Sequence, residues 1–493
     1  MPKTAIKRLT AIIILVTLLL SIFSLDVFAY EQEQGVTLSL ETRLATASNV
    51  RVNSDAALEE SINTQLKNFE KNVNIYEFKL CNNEQNLQKI VDILSGALPE
   101  CFHISEEFSI SDNGEYIIEI QPTYIYTKDE YNSMLAECEA AADKLLEGVE
   151  GNSALGEREK LLILHDRIAL SCEYDYENLL NNSVPEVSHR MYGALVNKVA
   201  VCQGYTLAYS YLLDRIGIKN YYCSSENLNH AWNIVYLDGK SYHVDITYDD
   251  PVWDVTGQVL HTNFLVSTDA LRQNNHNAYD YDSSPSDTTY DNYFWQDINS
   301  AFVYLNGEIY YTELETSDYI AIKRYSDKQT IYKTKYLWFL GEGSYYSGNY
   351  AKLAVCGSKI LFSLGDGIYS LDPNTKEAQK IYSNPEVSNY NNIYGFTYAD
   401  GQLVFDISNT PLFDANTKKN NEYKVEYHDP GNINNDSNID LADITVLAKI
   451  LAGWNDLEFN PNALDVDGNG VENLCDLVRL AQYLAGWDVE LAQ

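Results

Sequence analysis

Methionine is scarce and basic residues are few: 3 Met, and 34 Lys plus Arg against 71 Asp plus Glu, in 493 residues. The formal charge of −37 repels phosphate backbones, which argues against a nucleic-acid partner. The eight cysteines (Cys81, Cys101, Cys138, Cys172, Cys202, Cys223, Cys356, Cys475) lack any CxxC spacing. Neither a zinc pattern nor the dense framework of a small disulfide-stapled domain follows from them. Beyond residue 29 there is no apolar run long enough to span a bilayer. The early run has the form of a leader. Lys3, Lys7 and Arg8 precede the apolar stretch Ala11 to Phe23, and Val27-Phe-Ala29 ends in small residues. This predicts a secretory signal over 1–29 and a secreted, extracellular chain.

What is present suggests several domains, since 493 residues exceed one ordinary core. Residues 30–150 read as an N-terminal α/β region, with a strand near Tyr116–Gln121 and an Ala- and Glu-rich helix from Tyr131. Residues 151–280 open with Glu157 to Ala169, whose apolar spacing predicts an amphipathic helix. Residues 290–427 are rich in Tyr, Ile and Val, broken by turns such as Leu305-Asn-Gly-Glu308 and Leu364-Gly-Asp-Gly367. They read as an all-β region of propeller-like strands, too short for a complete propeller.

Residues 428–493 contain a duplication. Leu447-Ala-Lys-Ile-Leu-Ala-Gly-Trp454 recurs 33 residues later as Leu480-Ala-Gln-Tyr-Leu-Ala-Gly-Trp487. At the same offset lie two twelve-residue loops with oxygen-bearing side chains at positions 1, 3, 5, 9 and 12. Hard oxygens alternating around a tight turn suit calcium. The pattern over 431–487 resembles a type I dockerin, the small all-α module that plugs cellulosomal enzymes into cohesins on a scaffoldin. The resemblance implies two calcium ions. The ligands would be Asn432, Asn434, Asp436, Asp440 and Asp443 in one loop, and Asp465, Asp467, Asn469, Asn473 and Asp476 in the other. Leu441, Ala442, Leu474 and Cys475 would read the cohesin. Asn432 stands where Asp is usual and Ser437 where Gly is usual, so the first site should bind calcium more weakly.

Cys202 lies where an apolar run gives way to a helix, in Val201-Cys-Gln-Gly-Tyr205. A helix start favours a thiolate. A nucleophile needs a base, and the base needs an orienter. His230-Ala-Trp-Asn233 and Tyr242-His-Val-Asp245 flank Asp238-Gly239, a strong hairpin signal. A two-residue turn there puts His230 opposite Thr247 and Trp232 opposite Asp245. His230 and Asp245 then become diagonal neighbours on one face. His243 shares that face and is the rival base, while Cys223 reads as core.

These words resemble the transglutaminase-like superfamily, of papain-like α+β fold, over about residues 75–276. The resemblance implies Cys202 as nucleophile, His230 as base and Asp245 as orienting acid, with no cofactor for that core. It implies thiol acyl transfer on a protein or peptide amide, with peptide hydrolysis the expected outcome for a secreted member. Plant cell-wall material is a further expected partner, from the dockerin. The competing reading is an inactive scaffold that binds protein or carbohydrate. Asp249-Asp250 are adjacent and so cannot flank a glycosidic bond at the required separation.

Overall fold

The structure is a computed structural model. It describes residues 7–12, 36–39 and 56–491, apart from 251, 253–254, 318, 336–337, 342–343, 347, 400, 411–421, 428–430, 435, 437–438, 455–456, 458, 488 and 490. Two compact units result. One holds Met1–Val252 with Thr262–Gln296, the other Trp253–His261 with Asp297–Gln493. Of the segment read as a secretory signal, only residues 7–12 are described; the remainder of 1–29 lies outside the described residues.

The first unit begins with β1 (Lys7–Ile12), β2 (Val36–Ser39), α1 (Ala56–Lys67), β3 (Val73–Asn74), α2 (Glu84–Asp92), β4 (Ile104–Asp112) and β5 (Ile117–Tyr124). The sheet order is β2-β1-β4-β5-β3. Leu58, Ile62 and Leu66 recur at four-residue spacing on α1 and are fully buried with Ile110, Ile117 and Ile120. Thr127 and Glu130 form a capping box that starts α3 (Lys128–Leu146).

Then come α4 (Glu157–Ser171), β6 (Glu173–Tyr174), α5 (Tyr176–Leu180), β7 (Val199–Ala200) and α6 (Cys202–Arg215). They are followed by β8 (Asn220–Ser225), β9 (His230–Leu237), β10 (Lys240–Val244), α7 (Ile246–Asp249), β11 (Phe264–Val266) and α8 (Thr268–Gln273). The helix α4 is not amphipathic as expected. Leu161 through Asp166, with Ile168 and Ala169, are all buried, so packing surrounds it. The antiparallel sheet β11-β10-β9-β8 backs α6, whose residues 202–213 are buried throughout.

The second unit is built of meanders. The first is β12 (Val303–Leu305), β13 (Glu308–Thr316), β14 (Tyr319–Arg324) and β15 (Thr330–Lys335); β16 (Trp338–Gly341) and β17 (Ser344–Tyr346) form a short pair. Next are β18 (Leu353–Cys356), β19 (Lys359–Leu364), β20 (Gly367–Leu371) and β21 (Ala378–Ser383). The last is β22 (Asn392–Ala399), β23 (Gln402–Ser408) and β24 (Glu422–Glu426). Alternate residues explain the stacking. Leu353, Ile360 and Phe362 pack with Val303, Ile320 and Ile322. Ala354, Leu361 and Ile368 pack on the other side with Ile393, Phe396 and Phe405. Among the described residues no sheet closes, so the propeller-like expectation is not confirmed.

The chain ends in α9 (Leu441–Leu451) and α10 (Leu474–Leu484). The 33-residue repeat is visible in their core, where Ile433 and Leu447 join their counterparts Val466 and Leu480.

Candidate active site and C-terminal module

Each residue of the Val201–Tyr205 word has a structural task. Val201 caps α6 in an extended conformation, and its N–H donates to the Ser188 carbonyl at 2.9 Å. Cys202 is therefore the first helical residue, in the positive end of the helix, and is 6 % exposed. Its own N–H has no acceptor within the helix. The Gln203 amide donates to the Ser95 carbonyl. At Gly204 a Cβ would lie 2.6 Å from the Ser188 oxygen and 2.8 Å from the Ala200 Cβ, so only glycine fits. The Tyr205 hydroxyl donates to Asp250 Oδ2 at 2.7 Å, with the Cys172 carbonyl oxygen 2.9 Å away.

The hairpin has the expected turn. Asp238 and Gly239 both take positive φ (53° and 77°). The ladder runs from Lys240–Leu237 to Val244–Asn233. It stops there. The expected pairings of His230 with Thr247 and of Trp232 with Asp245 do not form, because Asp245 leaves the strand and caps α7, its Oδ1 accepting from the Tyr248 N–H. That departure turns the carboxylate toward the imidazole. His230 Nε2 lies 2.6 Å from Asp245 Oδ2. The Asn233 amide donates to the Thr206 carbonyl and Ser210 Oγ, at 3.2 and 2.9 Å. Those bonds tie the strand that carries His230 to the helix that carries Cys202.

Electrostatics follow from burial. Desolvation works to strip His230 of its proton. Asp245 and the Cys202 sulfur outweigh it, by charge and by hydrogen bond, and hold the imidazole up at about 10. Burial also opposes ionisation of Asp245, yet the charge and hydrogen bond of His230 and His276 hold it well below the usual carboxylate range. Elsewhere burial pushes the thiols of Cys101 and Cys138 up to about 12, as for inert core cysteines. None of the eight cysteines forms a disulfide, and Cys223 lies in the core.

His243, the rival base, is fully buried and satisfied at both nitrogens. Trp232 Nε1–H donates to Nδ1 at 3.0 Å, and Nε2 meets Thr268 Oγ1 at 3.0 Å. Burial, then the neighbouring His276, pushes it down to about 3. Two groups were missed from sequence. His276, in the loop after α8, places Nε2 2.7 Å from Asp245 Oδ2. His165 lies between Asp166 Oδ1 at 2.8 Å and Asp249 Oδ2 at 3.3 Å. Neither sits in a periodic or turn pattern that would single it out. Asp249 and Asp250 are buried and hydrogen-bonded, as anchors of α7.

In the C-terminal module the twelfth residues of both loops, Asp443 and Asp476, are fully buried. Asp443 Oδ1 accepts from the N–H groups of Ile433 and Asn434, and Asp476 Oδ1 from that of Asp467. The ninth residues, Asp440 and Asn473, cap α9 and α10. Asp465, Asp467 and Asp476 bring carboxylate oxygens within 4.8 Å of one another, a donor set that fits a hard divalent cation. Asn469 donates its N–H to Asp465 and Asp467. In the first loop Asn432 and Asn434 direct their amides at Asp436, and Asn432 Oδ1 is buried without a hydrogen-bond partner among the described residues. That orphaned acceptor also fits a cation. Leu441 and Leu474 are 71 % and 67 % exposed, with Ala442 and Cys475 exposed beside them. Trp454 and Trp487, also one repeat apart, add exposed apolar surface.

No curated protein matches the chain. A solved structure described as "Crystal structure of a TGase" is 16 % identical, with a TM-score of 0.22, over 34 % of this chain and 49 % of that one. The chain thus spans about half the length of that structure, and the likeness does not establish a shared fold. Residues 430–485 match the family described as "Dockerin type I domain". The chain therefore carries a dockerin type I domain at its C-terminal end.

Proposed function

We propose that the chain is a secreted thiol acyl transferase of the transglutaminase-like kind. It acts as a cysteine peptidase on protein amides and docks to a scaffoldin cohesin through residues 430–485. The observation that carries the catalytic part is the 2.6 Å contact between His230 and Asp245, with Cys202 acting on the same imidazole from the start of α6.

In the first half-reaction the Cys202 sulfur bonds to the amide carbonyl carbon. The oxyanion takes the Cys202 backbone N–H. The carbon–nitrogen bond breaks, and the His230 imidazolium gives its proton to the departing amine. In the second half-reaction His230 removes a proton from water. The hydroxide oxygen adds to the thioester carbon, and the sulfur leaves. Asp245 keeps the imidazole oriented throughout.

Type I dockerins generally bind calcium, which supplies positive charge among the loop oxygens. Asp465, Asp467 and Asp476, with Asn469 and Asn473, would hold one ion. Asn432, Asn434, Asp436, Asp440 and Asp443 would hold the other, more weakly. The exposed pairs Leu441-Ala442 and Leu474-Cys475 would meet the cohesin. Among the described residues no helix is long and apolar enough to cross a membrane.

The test is the alkylation rate of Cys202 against pH, read by peptide mass spectrometry, with His230→Ala alongside. Reaction well below pH 8 that disappears in the variant supports the activated thiol. An ordinary thiol titration, indifferent to His230, would hand the chain to the binding-scaffold reading. Separately, Leu441→Asp with Leu474→Asp should abolish capture by a type I cohesin.

A further inference from the structure

His276 is fully buried and stands between two acceptors. Its Nδ1 lies 3.0 Å from the Asn274 carbonyl oxygen, and its Nε2 lies 2.7 Å from Asp245 Oδ2. A carbonyl and a carboxylate can only accept. Both contacts are hydrogen bonds only if both ring nitrogens carry hydrogen. Oδ2 of Asp245 then receives an N–H from His230 and another from His276, while Oδ1 takes the Tyr248 N–H.

Charge counting points the same way. The proposed site brings a thiolate, an imidazolium and a carboxylate into a buried pocket, which leaves one negative charge uncompensated. Such a charge is costly in a dry interior. A second imidazolium at His276 brings the total to zero. The groups around His276 allow this. Asp245 faces it from the cap of α7, the His230 ring from β9 at 5.5 Å, and the Tyr248 ring from α7 at 4.4 Å. The Tyr281 hydroxyl donates to its backbone carbonyl. His243 on β10 is the remaining titratable neighbour; it accepts from Trp232, and Arg272 on α8 acts on it as a positive charge.

We propose that His276 is a positioning residue of this site, an imidazolium that shares the Asp245 charge with His230 and balances the Cys202 thiolate. The proposal rests on the thiol acyl transfer reading above. Loss of a positive charge from the pocket makes the thiolate harder to form. The reactivity of Cys202 therefore moves to higher pH.

Two measurements on the full chain test it. In histidine-labelled nitrogen-15 spectra at pH 7, assigned with His276→Gln, both His276 ring nitrogens should have protonated shifts. A singly protonated neutral ring overturns the proposal. In the alkylation profile, His276→Gln and His276→Phe should each raise the midpoint for Cys202 by about one pH unit or more. Gln keeps an N–H for Asp245 but carries no charge, so an equal shift in both variants identifies charge as the cause. If Phe prevents folding, Gln and the spectra decide. An unmoved midpoint on a reactive Cys202, with the melting temperature kept, overturns the role of His276 alone. A wild-type Cys202 that ignores His230 overturns the acyl-transfer reading, and this role with it.

Discussion

Asp245 Oδ2 stands 2.6 Å from His230 Nε2 because Asp245 has left its strand. As the cap of α7 it has one oxygen on the Tyr248 N–H and the other facing the imidazoles of His230 and His276. Asparagine caps helices about as well as aspartate. Asp245→Asn should therefore keep the fold while removing the charge that orients His230. The acyl-transfer rate is expected to fall by about 10³–10⁴-fold. A melting temperature near that of the wild type, together with an unchanged rate, would exclude Asp245 from the machinery.

The proposed acyl transfer should have an alkaline limit set by His230. Its imidazole is held up at about 10, above the ordinary histidine value near 6.5. In the proposed mechanism the protonated ring is the form that delivers a proton to the leaving amine. Acyl transfer should thus decline as pH rises through about 10, and the decline should move to lower pH in Asp245→Asn. A pH–rate series on both proteins checks the direction.

His165 makes a prediction about stability instead. Burial opposes its charge, but Asp166 and Asp249 hold it up at about 9. Its folded value exceeds its unfolded one. The stabilisation is therefore complete below about pH 6.5 and is lost as pH rises through 9. Melting temperatures of the first unit between pH 6 and 10 should fall on the alkaline side. His165→Gln should flatten that slope; parallel curves would show that the charge is not held there.

Gly204 lies where helix α6 passes the Ser188 carbonyl. Gly204→Ala adds a methyl group 2.6 Å from that oxygen and 2.8 Å from Ala200. Overpacking of this kind costs about 1–3 kcal/mol. Urea unfolding measures it, and a neutral or stabilised variant would mean that the helix shifts freely.

The two C-terminal loops should fill with calcium in order. The second offers Asp465, Asp467 and Asp476 together, whereas the first opens with Asn432. A calcium titration should show two steps, the tighter one lost in Asp467→Ala. A calorimetric scan with chelator should lower only the transition of α9 and α10. One indivisible step, or no chelator effect, contradicts the assignment.

How far the sequence alone reached depended on sequence distance. The Asp238-Gly239 turn was legible because positive φ at two successive residues is a local demand that Asp-Gly meets. The 33-residue duplication was legible because each copy repeats the same caps and core positions, down to Ile433 and Val466. The juxtaposition of His230 and Asp245 was also expected, but through continued strand pairing, and the strand in fact ends at Val244. The burial of α4 on nearly all sides was not legible, since its sequence shows one face and not the neighbours that cover the other.

By itself, then, the sequence determined the turn that folds β9 onto β10, the helix start at Cys202 and the duplicated twelve-residue loops. These depend on residues a few positions apart. Tertiary structure decided that His276 joins Asp245 across 31 residues, that His165 rests on Asp249 and that His243 is spent on Trp232 and Thr268. A buried polar group must find a partner, and which partner it finds depends on where the chain returns in space.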